Sequence, residues 1–140
     1  MKKNILILVG LLLLLPLGCS CLVTSELIEV TVPCEDFSEY PNVVLNDFTI
    51  GVGDKVTAKL CSNATTGYSW SYTMTGDNAV KEEDHDFEEP DSDMVGAAGT
   101  EVWTFEGVEK GTTVIEMKYT RPWEEDAEPT WMYKMTITVE

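Results

Sequence analysis

Beyond residue 46 the chain alternates apolar and polar side chains with a period of two, the spacing of strands that bury one face. Val56, Ala58 and Leu60 alternate with Lys55, Thr57 and Lys59, and Tyr68, Trp70, Tyr72 and Met74 alternate with Ser69, Ser71 and Thr73. Trp103 and Phe105 share a face, bracketed by Glu101, Val102 and Thr104, while Ile115, Met117 and Tyr119 are set against Glu116 and Lys118. Last come Trp131, Tyr133, Met135, Ile137 and Val139, opposed by Met132, Lys134, Thr136 and Thr138. No stripe of helical period occurs in this region, and turn-forming runs separate the alternating ones: GVGD at 51–54, TGDN at 75–78 and EKG at 109–111.

The pattern predicts seven strands, over residues 48–50, 55–60, 68–74, 80–87, 101–105, 112–119 and 131–139. Seven short strands with aromatic inner faces and no internal repeat imply an all-β protein, an antiparallel sandwich of immunoglobulin type. If each strand reverses direction, the connections after 60, 87 and 119 lie at one end of the sandwich. Residues 20–45 read as a tether grading into a domain that starts near Asn46. Within the tether, ELIEVTV at 26–32 offers an extra edge strand, and Pro33, Pro41 and several acids limit anything longer.

The first residues change the picture of where the protein works. Met1, Lys2 and Lys3 precede an apolar run over 5–17 that only Gly10 and Pro16 interrupt. That run is short for a membrane span and fits an export signal, with Gly18 and Cys19 at the cleavage point. LPLGC resembles a bacterial lipoprotein signal, in which Cys19 becomes the lipid-bearing first residue, although Pro16 stands where leucine is usual. A retained N-terminal membrane helix is the alternative. The expectation is an exported protein of the cell envelope or the extracellular space.

The formal net charge of the chain is −16, and loss of Lys2 and Lys3 with residues 1–18, which hold no acid, takes it to −18. Such a surface repels nucleic acid and anionic lipid, so nucleic acid is excluded as a partner and membrane contact is left to the lipid or an uncleaved signal. Solubility, or a salty habitat, accounts for the charge without a basic partner.

Lipid at Cys19 would leave Cys21, Cys34 and Cys61. A Cys34–Cys61 disulfide is one pairing that export permits, and closing that loop contributes about 3.5 kcal/mol in the chain-entropy model, but the sequence leaves the pairing open. No CxxC occurs and His85 is the single histidine, so no zinc site or other cofactor is expected. The acidic run over 81–94 lacks the fixed spacing of a calcium loop and reads as solvated, with His85 exposed inside it. Nothing supplies a nucleophile and base, so an enzyme is not expected.

The three connections at the shared end carry the unusual chemistry. SNATTGY at 62–68 is a turn with an Asn63 cap and a permissive Gly67, and its paired β-branched Thr65 and Thr66 stiffen the tip. MVGAAGTEVW at 94–103 is nearly bare of side chains across Gly96, Ala97, Ala98 and Gly99, which lets another backbone approach; a flexible hairpin loop is the alternative. In YTRPWEEDAEPTW at 119–131, Pro122 holds the chain extended between Arg121 and Trp123, two residue types common at binding hot spots. Trp123 folded back onto the core is the alternative there.

Together the loops resemble one family. SNATTGYSW is similar to the NPTTGY loop of the chagasin-type inhibitors of papain-like cysteine peptidases, GAAGTEVW to their GxxG loop, and TRPW to their RPW loop, in the same order. The likeness runs from about Asn46 to Glu140. It implies an immunoglobulin-like inhibitor, expected to be monomeric, whose three loops wedge reversibly and without covalent chemistry into the cleft of a papain-like cysteine peptidase. By position, Thr65, Thr66 and Gly67, flanked by Asn63 and Tyr68, would cover the catalytic cysteine. Gly96, Ala97, Ala98 and Gly99 would run along the unprimed side, and Arg121, Pro122 and Trp123 would anchor the primed side. Ala64 replaces the family's usual proline, and the change makes Asn63, Ala64 and Thr65 an acceptable glycosylation sequon. A cell-surface adhesion or glycan-binding module using the same apex is the rival reading, because fold alone does not fix function.

Overall fold

The computed structural model describes residues 24–38, 41–124 and 127–140; the expected export signal, Cys19 and Cys21 lie outside the described residues. The alternating segments form β2 (Val43–Ile50), β3 (Lys55–Ser62), β4 (Ser69–Gly76), β5 (Val80–Glu88), β6 (Gly99–Gly107), β7 (Gly111–Thr120) and β8 (Trp131–Val139), preceded by β1 (Leu27–Val32). Two four-stranded sheets result, in the orders β1-β3-β6-β5 and β2-β8-β7-β4. Val56, Leu60 and Phe105 of one sheet meet Ile115, Met117, Met135 and Ile137 of the other, all fully buried, as the two-residue period requires. The immunoglobulin-like sandwich is the fold found.

Among the described residues the strands number eight, and not every ladder is antiparallel. β1 runs parallel to β3, and β2 parallel to β8, while the other pairings are antiparallel. The cause is the path of the chain. After β1 it crosses to the second sheet for β2, and it therefore re-enters the first sheet travelling in its original direction. β8, like β2, descends from the loop-bearing end.

Within the segment read as a tether, residues 27–38 and 41–45 contribute to the sandwich. β1 is the extra edge strand, and Asp54 fastens its start by accepting a hydrogen bond from the Glu26 backbone N–H at 2.7 Å. A one-turn 3-10 helix at Cys34–Phe37 then places Phe37, fully buried, against Trp70 and Trp131, with ring centroids 5.3 and 5.2 Å away. The Cys34–Cys61 disulfide, with 5.1 Å between its Cα atoms, joins that turn to the end of β3. The packed structure thus begins well before Asn46.

Candidate functional site

The connections β3–β4, β5–β6 and β7–β8 emerge at one end, and side chains bond them into a single ridge. Asn63 organises the first loop. Its Oδ1 accepts from the Thr65 N–H at 3.2 Å and from Thr65 Oγ1 at 2.6 Å, capping the 3-10 turn Ala64–Thr66. Its Nδ2 donates to the carbonyl of Gly96 at 2.9 Å, which ties the first loop to the second. Thr66 Oγ1 donates back to the Asn63 carbonyl at 2.6 Å.

The third loop is fastened by Arg121 and Trp123. Arg121 Nε donates to the Thr66 carbonyl at 3.3 Å, its guanidinium carbon stands 4.6 Å from the centre of the Tyr68 ring, and Nη1 donates to Glu124 at 3.1 Å. Gly67 has a φ of +77°, and a Cβ there would collide with the Trp123 ring. The indole therefore lies across the glycine while 67% of Trp123 stays exposed, and it does not fold back onto the core.

An aromatic bed supports the ridge. Tyr68 stacks on Tyr119, Tyr119 on Trp131 and Trp131 on Phe37, with centroids 4.8 to 5.2 Å apart. The Tyr119 hydroxyl accepts from the Asn63 N–H at 2.8 Å, and Trp70 Nε1 donates to the Cys61 carbonyl at 3.0 Å. The loop tip is thus bonded to the core and not only to itself.

The residues expected at the site divide into two groups. Thr65, Thr66, Gly96, Ala98, Pro122 and Trp123 reach the surface, with Ala97 half-buried beside them. Asn63, Gly67, Tyr68 and Arg121 brace the loops, and Gly99 is buried at the start of β6, where a Cβ would strike Phe87 and the Glu88 carbonyl. Gly96, with a φ of +84° and open space around it, is the glycine that turns the second loop. Met94 and Val95 escaped the sequence reading, yet both are highly exposed beside Gly96. Their signal was a pair of apolar residues standing outside any alternating run.

Among the described residues Cys34 and Cys61 are joined to each other, and the His85 ring contacts Glu101. A braced set of loops with an exposed indole on one flank and exposed apolar side chains on the other presents the residue types and the rigidity of a binding surface.

Residues 49–139 match the family model described as Chagasin family peptidase inhibitor I42. The chain belongs to the chagasin family. Chagasin of Trypanosoma cruzi is 33% identical over 79 residues, covering 54% of this chain and 72% of its own length. Amoebiasin-2 of Entamoeba histolytica is 33% identical over 81 residues, 57% of this chain and 66% of its own. Solved structures share the fold of this chagasin-family chain. The cysteine protease inhibitor EhICP2 from Entamoeba histolytica has a TM-score of 0.65 at 18% identity, covering 84% of this chain and all of its own. PbICP-C, solved in complex with falcipain-2, has a TM-score of 0.51 at 16% identity, covering 83% of this chain and all of its own. The family is one of peptidase inhibitors, and the chain is a non-enzyme.

Proposed function

We propose that this chagasin-family protein inhibits papain-like cysteine peptidases by inserting the bonded ridge into the active-site cleft. The observation that carries the reading is the cross-bracing of all three loops through Asn63, Gly67 and Arg121. Thr65 and Thr66 then sit over the catalytic cysteine without offering it a scissile bond. Met94, Val95 and the backbone of residues 96–98 lie along one flank, and Pro122 and Trp123 along the other. Because the loops are ordered before binding, an interface of roughly 1,600 Å² is formed at little conformational cost. The inhibition is reversible, and the protein acts as a monomer.

Purified protein lacking residues 1–18 is expected to abolish papain activity at nanomolar to micromolar dose, with activity recovered on dilution. Trp123→Ala should raise the inhibition constant about 30-fold or more, the effect of losing a hot-spot indole. Failure to inhibit several papain-like enzymes would favour the adhesion or glycan-binding reading instead. We place the inhibitor outside the cytoplasm, anchored by lipid at Cys19, on the strength of the LPLGC signal and of a disulfide that an oxidising compartment maintains. Mass spectrometry of the native N-terminus checks this: an unmodified Met1 would refute it.

A further inference from the structure

Glu101 lies on β6 beside the core, only 6% exposed. A carboxylate in that position needs hydrogen-bond donors. Its Oε1 accepts from Ser62 Oγ at 2.8 Å and from the Trp70 N–H at 3.2 Å, and its Oε2 accepts from His85 Nε2 at 3.2 Å. Ser62 ends β3 and Trp70 is the second residue of β4, so a single oxygen holds both ends of the first loop. The second oxygen is kept in place from β5, where the His85 ring stacks on Trp103 with centroids 3.5 Å apart.

We propose that Glu101 is a positioning residue for peptidase binding, a staple that closes the neck of the first loop; the link to inhibition rests on the function proposed above. The staple also couples two loops. Glu101 stands two residues beyond Gly99, where the second loop enters β6, so the same side chain fixes the spacing between the threonine tip and the glycine-rich flank. Asn63 bonds these loops at their exposed tips, and Glu101 bonds them at their buried roots. Losing a buried acceptor leaves its donors unpaired, which costs more than the bond itself contributes.

The test compares Glu101→Leu, Glu101→Gln and Ser62→Ala in the purified protein, by amide hydrogen exchange at Asn63, Thr66, Gly67 and Trp70, exchange in the centres of β7 and β8, and papain inhibition. Glu101→Leu should speed exchange in the first loop about tenfold or more, well beyond any change in β7 and β8, and weaken inhibition by a similar factor. Glu101→Gln keeps an acceptor oxygen for Ser62 and Trp70, and its amide can donate to His85 in the other tautomer, so it should restore both readouts to within about threefold. Ser62→Ala removes one of the three bonds, gives a partial effect, and keeps the question open to test if Glu101→Leu does not fold. Equal acceleration in the first loop and in β7 and β8 would mean that Glu101 serves stability alone. Unchanged loop exchange, or Gln behaving as Leu, would also overturn the staple. If exchange responds as expected while the unaltered protein inhibits no papain-like enzyme, the staple stands and the peptidase reading falls.

Discussion

Gly67 meets two demands at once, a left-handed backbone and room for an indole, and no other residue type satisfies both. Gly67→Ala is therefore expected to push Trp123 off its seat and to weaken papain inhibition more than tenfold, with a smaller loss of thermal stability. An unchanged inhibition constant would show that Trp123 binds independently of its seat. Asn63 is similarly committed. Its amide nitrogen, the atom that would carry a sugar, already bonds the Gly96 carbonyl, and a glycan there would also stand in front of the ridge. Active protein should accordingly carry none at the Asn63 sequon, and full glycosylation of inhibitory native material would contradict this. The threonines, the glycines and Trp123 were legible in the sequence because their types announce turns and contacts. Glu101 was not. Period two places it on the face of Trp103 and Phe105, but a carboxylate on an inner face carries no sequence signal until its donors, which lie 16 to 39 positions away, are brought to it.

At the scale of elements, the strands from β3 onward were readable to within about two residues at each end, because half-buried strands repeat a period that loops break. β5 shows the limit. Most of its residues are exposed, charges cover it, and its ladder to β6 is irregular between Glu82 and Asp84, all features that blunt an edge strand against unwanted pairing. The N-terminal region was harder still. The parallel pairing of β1 and the burial of Phe37 depend on partners far along the chain, which no local pattern encodes. Phe37→Ala should cost about 3–5 kcal/mol in urea unfolding, the range for emptying an aromatic site. A fragment starting at Asn46 loses β1, Phe37 and the disulfide together, and should unfold at far lower temperature than a chain that includes residue 24. Equal melting of the two would return residues 27–45 to the status of a tether.

For the whole molecule, a few titrating groups set limits on pH tolerance. Asp54 is held below the usual carboxylate range by the backbone N–H groups of Glu26 and then Gly51. Its contribution is complete above its ordinary value of 3.8 and is lost as pH falls through the lower folded value. Tyr72 behaves oppositely: burial first, then its hydrogen bond to Glu82, push it from 10.0 up to about 12. Burial also raises Tyr133 in the core. A folded value above the unfolded one means that the stabilisation is intact below pH 10 and is lost as pH climbs from 10 towards 12. Urea midpoints should therefore fall as pH rises from 10 towards 12, less steeply in Tyr72→Phe. An identical slope in that variant would rule out Tyr72 as a cause.

The parallel ladder between β1 and β3 also fixes how the molecule is presented. Leu27 is level with Lys55 and Val32 with Leu60, so the chain enters at the foot of β3 while the first loop leaves from its head. β8 likewise finishes at the foot, where the Glu140 N–H donates to the Ile50 carbonyl. Eight residues of strand put roughly 26 Å between foot and head. A bead or fused domain joined directly before residue 24 therefore attaches at the end of the sandwich opposite the ridge. Protein immobilised through that end should capture papain as tightly as protein free in solution.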